Sequence, residues 1–217
     1  MNFDWAVVQM AVPLLLQGTV MTLKIAAVAG AFGLTGGIAL GLLSLGGWAP
    51  VRLFVRGYVD FVRGTPLLIQ IFIVFFGLPV MGLRLGEFWA GVIALSLNCA
   101  GYVAEIVRGT VGSVEKGQTE AAMSIGMTRG QILMYILLPQ SFRPMIPALT
   151  NDLITLLKNT SLLSVISVYE LTRSGQAIIA SHFVPLEIFT LLALYYYVII
   201  SALSHLSRFI ERRLPQW

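Results

Sequence analysis

Residues 120–139 read EAAMSIGMTRGQILMYILLP. The segment lies between long apolar runs, yet it opens on a glutamate, carries Arg129, and holds two glycines that weaken a continuous helix, Gly126 and Gly130. Its local chemistry predicts two short helices. The first covers about 114–125, with Gly126 as its C-terminal cap. The second starts at Thr128, where T-x-x-Q with Gln131 is a capping-box pattern, runs to Leu138, and is stopped or kinked at Pro139. Such a pair fits an ordinary amphipathic loop as well as a docking element, and the surrounding chain decides between them.

Of the 217 residues, 57% are hydrophobic and 11% charged, against about a quarter charged in soluble domains. One soluble core cannot hide that much apolar surface, so the solvent for most of the chain is lipid. The apolar runs do not alternate as barrel strands do, and several reach the roughly 20 residues a spanning helix needs. The expectation is an all-α integral membrane protein of a single domain (1–217) with spans at about 19–45, 65–81, 88–107, 145–168 and 188–206. Residues before 19, with Asp4, Gln9 and Pro13, read as an outer-surface helix rather than a cleavable signal. GGWAP at 46–50 reads as a turn. Residues 169–187 are too polar to span. Gly37 and Gly41 form a small-xxx-small pair suited to close helix packing.

Orientation follows from the basic residues. With the N-terminus outside and the C-terminus in the cytoplasm, ten of the fourteen Lys and Arg lie inside: Arg52, Arg56, Arg63, Arg108, Lys116, Arg129, Arg143, Arg208, Arg212 and Arg213. The loop at about 113–140 is then cytoplasmic. One cysteine, Cys99, and two distant histidines, His182 and His205, offer no disulfide framework and no metal-ligand spacing. No G-x-x-x-x-G-K-[ST] is present, so the chain has no P-loop of its own.

Polar groups inside spans are costly and mark functional positions. At about 100° per residue, Asn151, Asp152, Thr155, Lys158 and Asn159 share one arc of the fourth span. Asn98, Tyr102 and Glu105 share one face of the third, and Gln70 lies near mid-depth of the second. Three polar faces can enclose a small wet cavity suited to a zwitterion: carboxylates seek Lys or amide donors, ammonium groups seek Asp, Glu or carbonyls. Competing roles stand beside this one. Lys158 has three: pairing with Asp152, snorkelling outward, or touching substrate. Glu105 and Arg108 have salt-bridge spacing, which favours a structural or gating pair. Asn98 and Tyr102 also suit interhelical bonding.

The loop resembles the EAA loop of bacterial ABC importer permeases. That pattern is E-A-A, three residues, G, nine residues, I, one residue, L-P, and it falls on Glu120, Ala121, Ala122, Gly126, Ile136, Leu138 and Pro139 with every spacing kept. RGTPLLIQIFIVFFGLP (63–79), AGYVAEIVRG (100–109), LKNTSLLSVISVYELTR (157–173) and GQAIIA (175–180) resemble the polar amino acid (histidine/glutamine-type) subfamily, and the opening NFDW and LTRSGQ resemble its glutamine permeases. The resemblance implies the type I ABC importer permease architecture and a location in the bacterial inner membrane. It implies a permease subunit rather than an enzyme, importing a polar amino acid such as glutamine or a similar neutral or acidic one. It implies a cytoplasmic ABC ATPase dimer that holds the ATP and Mg, a second permease subunit, self or paralogue, and an extracytoplasmic solute-binding protein. No cofactor on this chain and no nucleic acid are expected. Glu120, Ala121, Ala122 and Gly126 would couple to the ATPase, and Gln70, Asn98, Tyr102, Glu105, Asp152, Thr155, Lys158 and Asn159 would line the substrate pathway. The subfamily commonly reads K-D-T-S-L where this chain has Lys158, Asn159, Thr160, Ser161 and Leu162, so a neutral amide replaces a carboxylate. The alternative is an ion-coupled secondary carrier, which would use Asp152, Lys158 and Glu105 but leaves the loop spacing unexplained.

Overall fold

The computed structural model describes residues 5–46 and 48–213, with side chains to Phe209. The NFDW opening up to Asp4, Gly47 of the expected turn, and the tail from Leu214 lie outside the described residues. Among those described there is no strand. Nine α-helices follow one another: α1 (Trp5–Leu45), α2 (Ala49–Gly64), α3 (Leu67–Val80), α4 (Glu87–Gly112), α5 (Lys116–Ser124), α6 (Arg129–Ile132), α7 (Leu138–Asn159), α8 (Leu171–His182) and α9 (Pro185–Arg213). A π turn (Leu133–Leu137) joins α6 to α7, and a 3₁₀ segment (Thr160–Ile166) follows α7. Four helical stretches are long and apolar enough to cross a membrane, or five if the bent pair α2–α3 counts as one.

The structure differs from or adds to the expectations at three places. The N-terminal segment is not a separate surface helix. It continues unbroken into the first span as a 41-residue helix, roughly 60 Å long. Pro13 lies only two turns from the start of α1, so its ring disturbs a single carbonyl near the end rather than splitting the helix. The stretch after GGWAP, to which the sequence pattern assigned no element, is helical. It forms α2, which has arginines on one side and Leu53, Phe54 and Phe61 exposed, and its axis turns by 109° into α3. Finally, of the two outcomes expected at Pro139, a stop or a kink, the stop does not occur. The helix begun at Thr128 widens into the π turn, where the proline ring and its missing N–H are absorbed by the looser i→i+5 ladder, and runs on to Asn159. The expected fourth span therefore starts earlier and ends as an α-helix nine residues sooner, its last part folding back as the 3₁₀ segment. Ser167, at φ 64°, closes that segment in the left-handed region.

The core is built on α1 against α4. Cβ atoms added at Gly33, Gly37 and Gly41 would lie 2.6, 2.5 and 2.6 Å from Cys99, Val103 and Val107. The three glycines are one turn apart, as are their three partners, so the backbones meet in a glycine seam. Gly37 and Gly41 thus act within the chain, where the sequence left their partner open. A second centre joins α1, α8 and α9 around Glu170, which is fully buried. It caps α8 by accepting from the backbone N–H groups of Thr172 (3.0 Å) and Arg173 (2.7 Å). Tyr196 of α9 donates to it at 3.0 Å, and Thr22 of α1 at 3.4 Å. One carboxylate thereby ties three helices.

Candidate functional site

A cavity of about 330 Å³ opens between α4 and α7. From α4 it takes Leu95, Asn98, Cys99, Tyr102 and Ile106, and from α7 Ala148, Asn151, Asp152, Thr155, Leu156 and Asn159. Both sets step by three and four residues, so one stripe of each helix faces the other. Thr65 and Leu67, at the α2–α3 bend, close it. Among the described residues, Asp152 is the one carboxylate on its wall, and no lysine, arginine or histidine lines it.

Five of the eight expected pathway residues meet here: Asn98, Tyr102, Asp152, Thr155 and Asn159. The other three lie elsewhere. Gln70 is buried behind the wall. Its Nε2 donates to the carbonyls of Val62 (2.8 Å) and Thr65 (3.1 Å) and to Thr65 Oγ1 (2.9 Å), and its Oε1 accepts from Asn98 Nδ2 at 3.0 Å. Gln70 therefore satisfies the carbonyl-rich end of α2 and holds Asn98 in place. Glu105 takes a two-point grip from Arg108 (2.7 and 2.6 Å) and a 3.3 Å contact from Arg63, so the structural pair expected of it forms and α2 is added to it. Lys158 is exposed, and no ion pair joins it to Asp152 among the described residues. Six residues apart on a helix, the two point about 120° away from each other.

Two polar lining residues, Cys99 and Thr65, escaped the sequence reading. Cys99 looked like a buried apolar residue, but its Sγ donates to Asp152 Oδ2 at 3.2 Å. Its phase was available, since it adjoins Asn98 and stands one turn before Tyr102. Thr65 belongs to a bend whose angle no local pattern encodes.

At the other end of α7 the EAA segment folds as a tight helix–turn–helix. Gly126 has φ +81°. Its N–H bonds to Met123 O at 3.0 Å, and that of Met127 to Ala122 O at 3.1 Å, the paired bonds of a Schellman cap. Two residues on, Thr128 and Gln131 form both arms of the capping box, at 2.8 and 3.4 Å. Gly126 and Thr128, two residues apart, thus end one helix and start the next. Ala122 turns inward at 4% exposure, while Glu120 and Ala121 face outward beside Met123 and Ile125.

The family model described as the binding-protein-dependent transport system inner membrane component matches residues 33–216. The chain belongs to that family. This permease is 40% identical to the glutamine transport system permease protein of Escherichia coli (strain K12), over 99% of each chain. It is 38% identical to the arginine transport system permease protein of Bacillus subtilis (strain 168), covering 99% of this chain and 98% of that one. Among solved structures, an amino acid ABC transporter crystallised with histidines superposes with a TM-score of 0.92 at 36% identity, over 99% of this permease and 100% of its counterpart. The methionine ABC transporter in an inward-facing form shares the fold, with a TM-score of 0.76 at 22% identity over 94% and 97% of the two chains. The permease is thus a multi-pass membrane subunit of an ATP-driven importer and not itself an enzyme. An ion-coupled carrier is set aside.

Proposed function

We propose that this permease carries a neutral polar amino acid, of the glutamine kind, through the α4–α7 cavity into the cytoplasm. The observation that carries this reading is the cavity's charge: one carboxylate, Asp152, among amides and hydroxyls. Asp152 receives the α-ammonium group. Asn151 and Asn159 supply donors for the α-carboxylate and the side-chain amide, and Thr155, whose hydroxyl already donates to the carbonyl of Asn151 at 2.9 Å, offers an acceptor. A second substrate carboxylate would meet Asp152 with no cation to offset it, which disfavours acidic amino acids. A cationic side chain would find a neutral amide at Asn159. The relatives are named for glutamine, arginine and cystine transport, so the subclass rests on the cavity and not on kinship.

The permease works in a bacterial inner membrane with its N-terminus outside, as one half of a permease dimer. A solute-binding protein delivers substrate from outside, and a cytoplasmic ATPase dimer holds ATP and Mg and grips Glu120 and Ala121. No cofactor is carried by this chain. The unbroken path from Arg129 through the π turn to Asp152, roughly 35 Å of helix, carries that movement to the cavity.

The test is uptake competition among the twenty amino acids in proteoliposomes with the matching binding protein. Wild type selects glutamine or another neutral polar amino acid over arginine and glutamate. Asn159→Asp raises arginine uptake relative to glutamine by about tenfold, the value of one added charge-assisted bond. An unchanged ratio would sink the assignment of Asn159.

A further inference from the structure

Gln70 of α3 and Asn98 of α4 are joined amide to amide, and the bonds around them fix which end of each points where. Three oxygens face Gln70 Nε2: the carbonyls of Val62 and Thr65 and the hydroxyl of Thr65. The two carbonyls can only accept. The Thr65 hydroxyl has committed its own hydrogen to the carbonyl of Phe61 at 2.8 Å, so towards Gln70 it too can only accept. An amide turned over at Gln70 would set Oε1 against all three, at a buried position where water does not relieve the clash. Gln70 Oε1 therefore points at Asn98, and it accepts from the Nδ2 end of the Asn98 amide at 3.0 Å.

Asn98 is locked in turn. Its amide is planar, so with Nδ2 on Gln70 the other end, Oδ1, is directed elsewhere. Oδ1 takes no hydrogen bond from the protein among the described residues. Nor is it walled in: among those residues the one buried side-chain nitrogen or oxygen without a partner is Arg173 Nε. The open space that Asn98 borders is the α4–α7 cavity. The relay thus runs in one direction, from the carbonyls at the α2–α3 bend through Gln70 to Asn98, and it ends on an acceptor facing the substrate path. Gln70 itself lies outside the cavity lining and acts only through Asn98.

We infer that Gln70 is a positioning residue for selectivity: by holding the Asn98 amide with Oδ1 toward the cavity, it makes the permease favour a substrate whose side chain donates a hydrogen bond. The inference rests on the reading of the cavity as the path of a glutamine-like amino acid. The side-chain amide of glutamine brings two N–H donors. Methionine sulfoxide is also neutral and of similar length, but its side chain brings an acceptor oxygen and no donor. It would meet Asn98 Oδ1 lone pair to lone pair. A site built around a hydrogen bond rejects the analogue that cannot make it more strongly than an apolar pocket rejects a difference in size.

The test is uptake of glutamine against methionine sulfoxide in proteoliposomes, with the same binding protein and ATPase in every arm, so that a change in the ratio arises in the permease. Wild type prefers glutamine. Gln70→Met removes both ends of the relay, frees the Asn98 amide to turn, and lowers the preference about tenfold, the order of one hydrogen bond. Gln70→Lys still donates to the carbonyls of Val62 and Thr65 but offers Asn98 no acceptor. It lowers the preference as well, and it decides the matter if the Met variant does not fold. Gln70→Glu keeps an oxygen toward Asn98 in either protonation state, so its preference stays near that of wild type even as total uptake falls. A merely structural glutamine would change total uptake in all three variants and leave the ratio alone. An unchanged ratio in Gln70→Met and Gln70→Lys, or a ratio lost equally in Gln70→Glu, overturns the inference. So does a wild type that takes both compounds equally, which leaves the neutral-substrate reading standing. A wild type that takes neither, while carrying arginine or glutamate, removes that reading and the inference with it.

Discussion

Asp152 and Gln70 show how differently two polar residues in a membrane can earn their place. Asp152 faces a cavity and is contacted by Cys99. Gln70 faces away from it and makes four bonds within the chain. In sequence Gln70 is an isolated polar letter in an apolar run and Asp152 one of a polar set on one arc of its span. Gln70 departs from the expected pathway role because its partners are the end of α2, a helix hidden behind the turn GGWAP and its arginines. The prediction at this scale is structural. Gln70→Ala leaves the buried carbonyl of Val62 without its partner and frees the amide of Asn98 at the cavity wall, at about 1–3 kcal/mol for the buried group. For a chain of this size that lowers the melting temperature by roughly 5 °C, read by thermal unfolding of the purified permease. Gln70→Glu keeps the acceptor for Asn98 but sets a carboxyl oxygen against the carbonyls of Val62 and Thr65, and should also melt below wild type. If Gln70→Ala melts with wild type, the glutamine does not hold the bend.

Among the elements, legibility followed the range of the interactions that make them. The Gly126 cap and the Thr128 box are settled within six residues, so the turn of the EAA segment could be read directly, and the structure contains both. The continuation of that helix through Pro139 could not, because a proline is a stop sign locally and only the π turn shows how the ladder goes on. The 109° bend between α2 and α3 likewise depends on what Gln70 reaches across it. The glycine seam lies between these cases: the spacing of Gly37 and Gly41 announces a close neighbour, but that the neighbour is α4 of the same chain is a tertiary fact. Its strength can be measured. Gly37→Ala places a Cβ 2.5 Å from Val103 and 2.8 Å from the carbonyl of Ala100, backbone that cannot swing aside, and should destabilise by about 1–3 kcal/mol. Gly57→Ala, within α2 and with nothing inside 4 Å of its added Cβ, should be neutral or stabilising by up to about 1 kcal/mol. Equal melting of the two variants would show that α1 and α4 are not clamped through the seam.

At the scale of the whole molecule, these pieces make a lever with a fixed post. The seam unites α1 with α4, and Glu170 ties α1 to α8 and α9. The cavity lies between that post and α7, whose far end leads through the π turn to the EAA segment. A displacement applied at α5 therefore reaches Asp152 by way of one helix, while Asn98, Cys99 and Tyr102 stay with the post, and the cavity walls separate as rigid bodies. The arrangement also answers which surface of the EAA segment is free to meet a partner: Ala122 packs inward, and Glu120 and Ala121 look outward. Glu120 has no part in the core, so Glu120→Lys reverses a charge on the face proposed to dock the ATPase without touching the fold. Its expected result is a permease that inserts and melts as wild type does, fails to retain the ATPase through purification, and loses uptake by at least about tenfold, the weight of one reversed ion pair at an interface. Ala122→Leu is the contrast, since it overfills a buried position and should lower thermal stability and uptake together. Normal uptake by Glu120→Lys would leave the lever without its handle, and the push on α7 would have to enter through a different surface of the permease.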